Sequence, residues 1–212
     1  TAASIMSIYG SLVYLSGVVG GWLSDRVWGS RKTVFYGGIL IMFGHIALSL
    51  PFGAPALYAS ILLIVCGTGL LKPNVSEMVG SLYSEDDKRR DAGFSMFVFG
   101  INLGAAVAPW AVPWAASGFG LNLFGSEQNF HAGFSLAAIG MFFGLLQYYF
   151  DGKKYLSKDS LYPDDPIDKE SLRPIINWTI IGLVALAVIL GLMAAMGQLN
   201  VTNVINLITF VA

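Results

Sequence analysis

A lysine lies in the middle of an apolar run that is long enough to cross a membrane. The run extends from about Leu57 to Val79 and contains the stretch GTGLLKPNVS at 67–76, in which Lys72 is followed by Pro73. About 20 helical residues cover a hydrocarbon core of about 30 Å, so the run predicts a transmembrane helix. Pro73 removes a backbone N–H and presses on the carbonyl of Gly69, which predicts a kink beside the cation.

An ammonium at that depth costs about 3 kcal/mol on insertion scales, so Lys72 should face a protein interior, a partner or water. It could form a structural ion pair between helices, or it could bind a substrate or a coupling ion. Helical spacing places Thr68, Gly69 and Ser76 on the same face, a small and polar stripe that suits a water-filled cavity. We therefore favour the binding site.

The composition places this element in a membrane protein. Hydrophobic residues make up 55% of the 212 residues and charged residues 12%, about half the charge of a soluble domain. The net charge is −1, so the chain lacks the excess of positive charge that is typical of proteins that bind nucleic acids, and no nucleic-acid partner is expected. Cys66 is the single cysteine, which excludes an internal disulfide.

Further apolar segments predict an all-α, polytopic bundle of transmembrane helices. They lie at about Ala3–Leu23, Val34–Leu50, Leu57–Val79, Gly93–Ala116, Gly133–Phe150 and Ile175–Met196, and a seventh begins at Val201. The second segment is short and should extend toward Arg31. Because the chain opens and stops inside apolar segments, we expect it to be a fragment of a longer protein. The polar stretch 151–173 contains prolines and predicts a linker.

Positive charge predicts the orientation of these helices. Of the 12 Lys and Arg residues, all except Lys72 lie in the connections after the first, third and fifth segments. The alternate connections contain none. By the positive-inside rule the basic connections are cytoplasmic. We expect a multi-pass protein of the plasma membrane.

Small residues recur at four-residue spacing in three pairs, namely Gly17/Gly21, Gly100/Gly104 and Gly140/Gly144. Such pairs let helix backbones approach closely, so we expect them at helix–helix contacts. His45 and His131 lack neighbouring ligands, and no nucleophile elbow or phosphate loop is present. The sequence therefore predicts no enzyme and no cofactor.

The connection after the first segment reads GGWLSDRVWGSRK at 20–32. Gly29 permits a tight turn, and Asp25 can interact with a helix N-terminus or pair with Arg26 or Arg31. The pattern resembles the loop between the second and third helices of major facilitator superfamily transporters. That resemblance implies that Asp25, Arg26, Gly29 and Arg31 form a cytoplasmic gating motif.

Two further stretches narrow the resemblance. The stretch at 67–76 and the sequence DKRRDAGFSMFVFGINLGA at 87–105 are similar to the fourth and fifth helices of proton-dependent oligopeptide transporters. One departure is Val98, where many members carry tyrosine. The resemblance implies that 1–150 holds helices two to six of a major facilitator-type amino-terminal half, that 151–173 is a cytoplasmic linker, and that 174–212 is an extra helical hairpin.

The resemblance also implies a function and its residues. Lys72 would bind the peptide carboxylate, Asn102 the peptide backbone or amino terminus, and Tyr14 would line the pocket. The transporter would take up di- and tripeptides with protons as the coupling ion, by alternating access, together with the missing first helix and carboxy-terminal bundle. A carrier of another anion such as nitrate, or a polytopic membrane protein that does not transport, remains an alternative.

Overall fold

The computed structural model describes residues 2–84, 86–118, 130–197 and 203, and the regular structure in these residues is helical. The helices are α1 (Ala2–Leu23), α2 (Ser30–Ser49), α3 (Ala54–Ser81), α4 (Arg90–Gly118), α5 (Phe130–Tyr155) and α6 (Lys169–Ala195). Each of the first six apolar segments corresponds to one helix, which confirms the all-α fold class. The seventh segment, except for Asn203, lies outside the described residues.

Four of these helices are long and apolar enough, over their described residues, to cross a membrane: α2, α3, α4 and α5. Helix α2 begins at Ser30, so the short second segment does extend to Arg31. Helix α3 has 28 residues and continues through Pro73. Lys72 therefore lies well inside a membrane-spanning helix, as the sequence predicts.

The chain divides into two compact units, one formed by Leu12–Asp165 and the other by Thr1–Ser11 with Pro166–Ala212. The division at Pro166 falls inside the predicted linker 151–173, whose first residues continue α5 to Tyr155. The assignment of 1–150 and 174–212 to separate parts of a larger transporter stays a prediction.

In the larger unit, α2 packs against both α3 and α5, and α4 packs mainly against α5. The buried apolar side chains are mostly small or medium-sized, as Val34, Val65 and Ala138 illustrate. The buried hydroxyls of Thr33 and Ser60 donate to backbone carbonyls of their own helix or turn. For example, Thr33 donates to the Gly29 carbonyl at 2.9 Å. Such packing is expected where lipid supplies no hydrophobic force between helices.

Glycines let α3 approach two helices at once. A Cβ on Gly67 would lie 2.6 Å from the carbonyl oxygen of Gly37 in α2. A Cβ on Gly69 would collide with Ser16 in α1, and a Cβ on Gly20 would collide with the Gly69 carbonyl. That carbonyl has no N–H partner four residues on, because Pro73 occupies the position. Residues 67 and 69 thus face different neighbours and leave no room for side chains.

The three glycine pairs singled out by spacing do not make these contacts. A Cβ on any of Gly17, Gly21, Gly100, Gly104, Gly140 or Gly144 would meet no described atom within 4 Å. In the described residues these pairs make no contact with another helix, so the expectation that they pack against protein stays a prediction. Four-residue spacing identifies a stripe of small residues along a helix. Whether that stripe faces a neighbouring helix depends on how the helices are rotated about their axes.

The basic connection between α3 and α4 contains a local ion pair. Arg89 donates from its side chain to both carboxylate oxygens of Asp87, at 2.8 and 3.1 Å. These hydrogen bonds hold the pKa of Asp87 below its ordinary value. The loop is exposed, so the pair contributes little to stability.

Candidate functional site

Lys72 and Tyr14 meet on the surface between α1 and α3. The Lys72 ammonium lies 4.9 Å from the centre of the Tyr14 ring, a distance at which a cation is attracted to an aromatic face. Both side chains are exposed, Tyr14 to 74%. In the described part of the chain, Lys72 forms no ion pair with a carboxylate. The cation is thus positioned by a ring and keeps its charge available.

The face of α3 around Lys72 differs from the predicted stripe at one position. Gly69 is buried against Ser16 of α1, so it supports helix packing and does not line an open cavity. Ser76 donates weakly to the Lys72 carbonyl, at 3.5 Å. The prediction overlooked this because the close approach of α1 leaves no signature in the spacing along α3.

Asn74 fixes the position of α3 against α1. Its side chain is 1% exposed, and its Nδ2 donates to the Gly20 carbonyl at 3.2 Å and to the Leu70 carbonyl at 2.6 Å. A buried amide with two partners contributes favourably, and removing it would lose both hydrogen bonds. Asn74 therefore positions the helix that carries Lys72.

Asn102 lies on α4, in an open groove of about 460 Å³ with Phe94, Ser95, Val98 and Phe99. Its Nδ2 donates to the Val98 carbonyl at 2.9 Å, which leaves the amide oxygen directed elsewhere. The groove therefore lies along one face of α4. The contacts described for Asn102 are with its own helix, and the structure does not bring it onto Lys72.

Gly29 forms the turn between α1 and α2, as its sequence position predicts. The residue follows a five-residue π-helical turn, Ser24–Trp28, and has φ +83°, a conformation that favours glycine. A Cβ there would lie 2.7 Å from the backbone of Leu161 and Tyr162. The segment after α5 therefore rests directly on this turn.

The charges of the turn are paired differently from the prediction. Arg26 forms an ion pair with Asp165 at 2.8 Å, and the Asp165 N–H donates to the Asp25 carbonyl at 3.0 Å. In the described residues, the Asp25 carboxylate forms no ion pair with Arg26 or Arg31. Asp165 competes successfully because the chain returns to the turn after α5, which the sequence around Asp25 does not show.

Arg31 joins α2 to α5. Its carbonyl accepts a hydrogen bond from the Tyr148 hydroxyl at 3.1 Å. Its guanidinium lies beside Gly152, where an added Cβ would be 3.3 Å from a guanidinium nitrogen. The predicted gating residues thus lie in one cluster with the ends of α1, α2 and α5, although gating itself stays a prediction.

Sequence reasoning missed Asp165 and Tyr148 as parts of these sites, whereas it predicts that Asn74 acts on helix geometry. Asn74 gave a usable signal, because a polar side chain within an apolar helix needs a buried partner. Asp165 and Tyr148 gave none, because their partners lie more than 100 positions away in the sequence.

The fold defines a helical membrane protein. A sequence profile of the POT family (PTR2) matches residues 31–200. The chain belongs to the POT family, which confirms the resemblance drawn from its motifs.

Similar proteins cover most of this chain but exceed it in length. A di-/tripeptide transporter of Lactobacillus helveticus is 75% identical over 181 residues, which are 85% of this chain and 36% of that protein. A di-/tripeptide transporter of Lactococcus lactis subsp. lactis is 45% identical and covers 99% of this chain and 41% of its own length. The chain thus spans less than half the length of these relatives.

Solved structures show the same fold. A POT peptide transporter in complex with sulfate superposes with a TM-score of 0.88 at 48% identity, over 98% of this chain and 40% of its own. A POT family transporter in complex with 5-aminolevulinic acid has a TM-score of 0.86 at 40% identity, over 96% and 41% of the two chains. The chain therefore has the fold of the corresponding part of a POT transporter.

Proposed function

We propose that this chain is part of a symporter that couples the uptake of di- and tripeptides to protons by alternating access in the plasma membrane. The observation that carries this is the Lys72 ammonium. It lies within a membrane-spanning helix, against the Tyr14 ring, and has no carboxylate partner in the described residues. A structural lysine would be paired permanently, since an unpaired charge within a membrane span is costly. A substrate carboxylate can supply the missing charge.

The chemistry of related proteins supports the same substrate class. Relatives are named di-/tripeptide transporters, and solved POT structures hold sulfate, 5-aminolevulinic acid or alafosfalin. Sulfate and 5-aminolevulinic acid carry an anionic group that an ammonium would attract. We expect protons as the coupling ion, no organic cofactor or metal, and no enzymatic reaction.

The remainder of the transporter is the partner that this function needs. Helix α4 presents large apolar side chains along its length, with Met96, Trp110 and Trp114 exposed to 70%, 81% and 59%. Lipid can cover part of such a surface, and a second helical bundle can cover the rest. Alternating access then requires the groove beside Asn102 to open and close against that bundle.

Uptake by the full-length protein tests this proposal. In proteoliposomes with an inward proton gradient, labelled dialanine should accumulate above its external concentration. A protonophore should abolish accumulation, because the gradient supplies the free energy. Accumulation of labelled nitrate, which dialanine does not inhibit, would instead indicate a carrier of another anion.

Asn102 should contribute to the affinity for peptide. Its amide oxygen and second N–H are free of the Val98 hydrogen bond and can pair with the peptide backbone or amino terminus. Asn102→Ala should weaken dipeptide binding by about 1–3 kcal/mol, because a polar substrate group loses its partner. Titration calorimetry on the purified protein measures this. Ser95→Ala, in the same groove, is the matched control, and unchanged binding by Asn102→Ala would make Asn102 a packing residue.

A further inference from the structure

A second groove, distinct from the region around Lys72, lies between α2 and α5. It has a volume of about 260 Å³ and is lined by both basic and aromatic side chains. The residues that matter here are Arg31, Lys32, Phe35, Tyr148, Tyr149 and Lys153. No acidic residue lines it.

The three cations of the groove are not paired with carboxylates of the described residues. Lys153 donates to the Tyr149 hydroxyl at 3.2 Å and lies 4.2 Å from the centre of that ring. Lys32 lies 5.5 Å from the centre of the Tyr162 ring. Neither lysine forms an ion pair with a carboxylate of the described residues, and neither does Arg31. Aromatic contacts orient these side chains without neutralising them.

The floor of the groove is apolar. The Phe35 and Tyr148 rings stack with their centres 6.4 Å apart and their planes at 16°. The Tyr149 ring lies 6.1 Å from Phe35. A ligand that fits this groove has an anionic part for the cations and an apolar part for the rings.

The groove also lies at the right depth for such a ligand. Arg31 and Lys32 belong to the first turn of α2, and Lys153 to the last turn of α5. Both ends carry the basic connections that the positive-inside rule predicts to be cytoplasmic. Basic pockets between transmembrane helices on that side suit the headgroups of anionic lipids.

We propose that this groove binds the headgroup of an anionic phospholipid, with an acyl chain along Phe35 and Tyr148. The three cations pair with the phosphate and Lys153 holds its position through Tyr149. The proposal rests on the membrane span of α2 and α5 and does not depend on which substrate is transported.

Native mass spectrometry of the full-length protein tests the proposed lipid site. The binding of added phosphatidylglycerol is compared with the binding of phosphatidylcholine that has the same acyl chains. The test variant is Lys32→Gln/Lys153→Gln. Its matched control is Lys154→Gln/Lys158→Gln, which changes the net charge equally at exposed lysines that do not line the groove. The other four groove residues named above, Arg31, Phe35, Tyr148 and Tyr149, stay intact in both variants, so both should elute as folded protein.

Wild type and control should bind phosphatidylglycerol at least tenfold more tightly than phosphatidylcholine. The affinity of the test variant for phosphatidylglycerol should fall about fivefold or more for each lysine removed. Soluble glycerol phosphate at the same concentration should not displace the lipid, because it lacks the apolar part. Equal binding of both lipids, an unaffected test variant, or displacement by glycerol phosphate would each overturn the proposal.

Discussion

Replacing Lys72 with alanine should abolish proton-driven peptide uptake by the full-length transporter. Lys72 is the cation of α3 that lies within the membrane span and contacts Tyr14. Without it, the peptide carboxylate would enter the site unpaired, which costs about 2–5 kcal/mol. The initial rate of uptake into proteoliposomes should therefore fall by about two orders of magnitude. Insertion should be retained, because removing a charge from the bilayer favours it.

Two further variants separate this role from a loss of charge in general. Lys88→Ala removes an exposed cation from the connection between α3 and α4 and should leave uptake unchanged. Lys72→Arg keeps a charge but replaces a compact ammonium with a wide, permanently protonated fork, so it should also transport poorly. If Lys72→Ala accumulated peptide at the wild-type rate, the lysine would be structural.

Gly20→Ala should destabilise the protein strongly. The new methyl group would overlap the carbonyl of Gly69, which is backbone and cannot rotate away. Overpacking of a tight contact typically costs about 1–3 kcal/mol and sometimes more. The variant should show an apparent melting temperature several degrees lower, measured by the loss of monodisperse full-length protein on heating.

The adjacent glycine supplies the matched control. A Cβ on Gly21 would meet no described atom within 4 Å, so Gly21→Ala should melt within about one degree of wild type. Because the two substitutions are chemically identical and one residue apart, a difference between them reports the contact with α3. Equal melting temperatures would contradict the close packing of α1 on Gly69.

The fold was largely predictable because apolar length and charge placement are local properties. Each of the first six apolar segments became a helix, and Ser30 begins α2 where the short segment was expected to extend. Helix packing was less predictable. The contacts use Gly20, Gly67 and Gly69, whereas a Cβ on either residue of the regular pair Gly100/Gly104 would meet no described atom within 4 Å. Rotation of one helix against another is a tertiary property that four-residue spacing does not encode.

The site was predictable in part because placing the charge of Lys72 inside a membrane costs free energy. A charged residue in an apolar helix is expected to have a function, which is why Lys72 was selected from the sequence. The structure shows that Lys72 contacts Tyr14, the second residue that was predicted to belong to the site. The ion pair of Arg26 with Asp165 was not predictable. It depends on a loop that returns to the turn at Gly29 from the far end of α5, and a short motif contains no trace of that path.

The most direct test of the role proposed for Lys72 is the affinity of wild type and Lys72→Ala for dialanine and for dialanine amide. The amide lacks the carboxylate charge, so it removes the same interaction from the side of the ligand. We expect wild type to lose most of its affinity on amidation and Lys72→Ala to show little difference between the two ligands, which is a coupling of about 2 kcal/mol or more in the double-mutant cycle. An equal loss on amidation in both proteins, and hence no coupling, would contradict binding of the peptide carboxylate by Lys72.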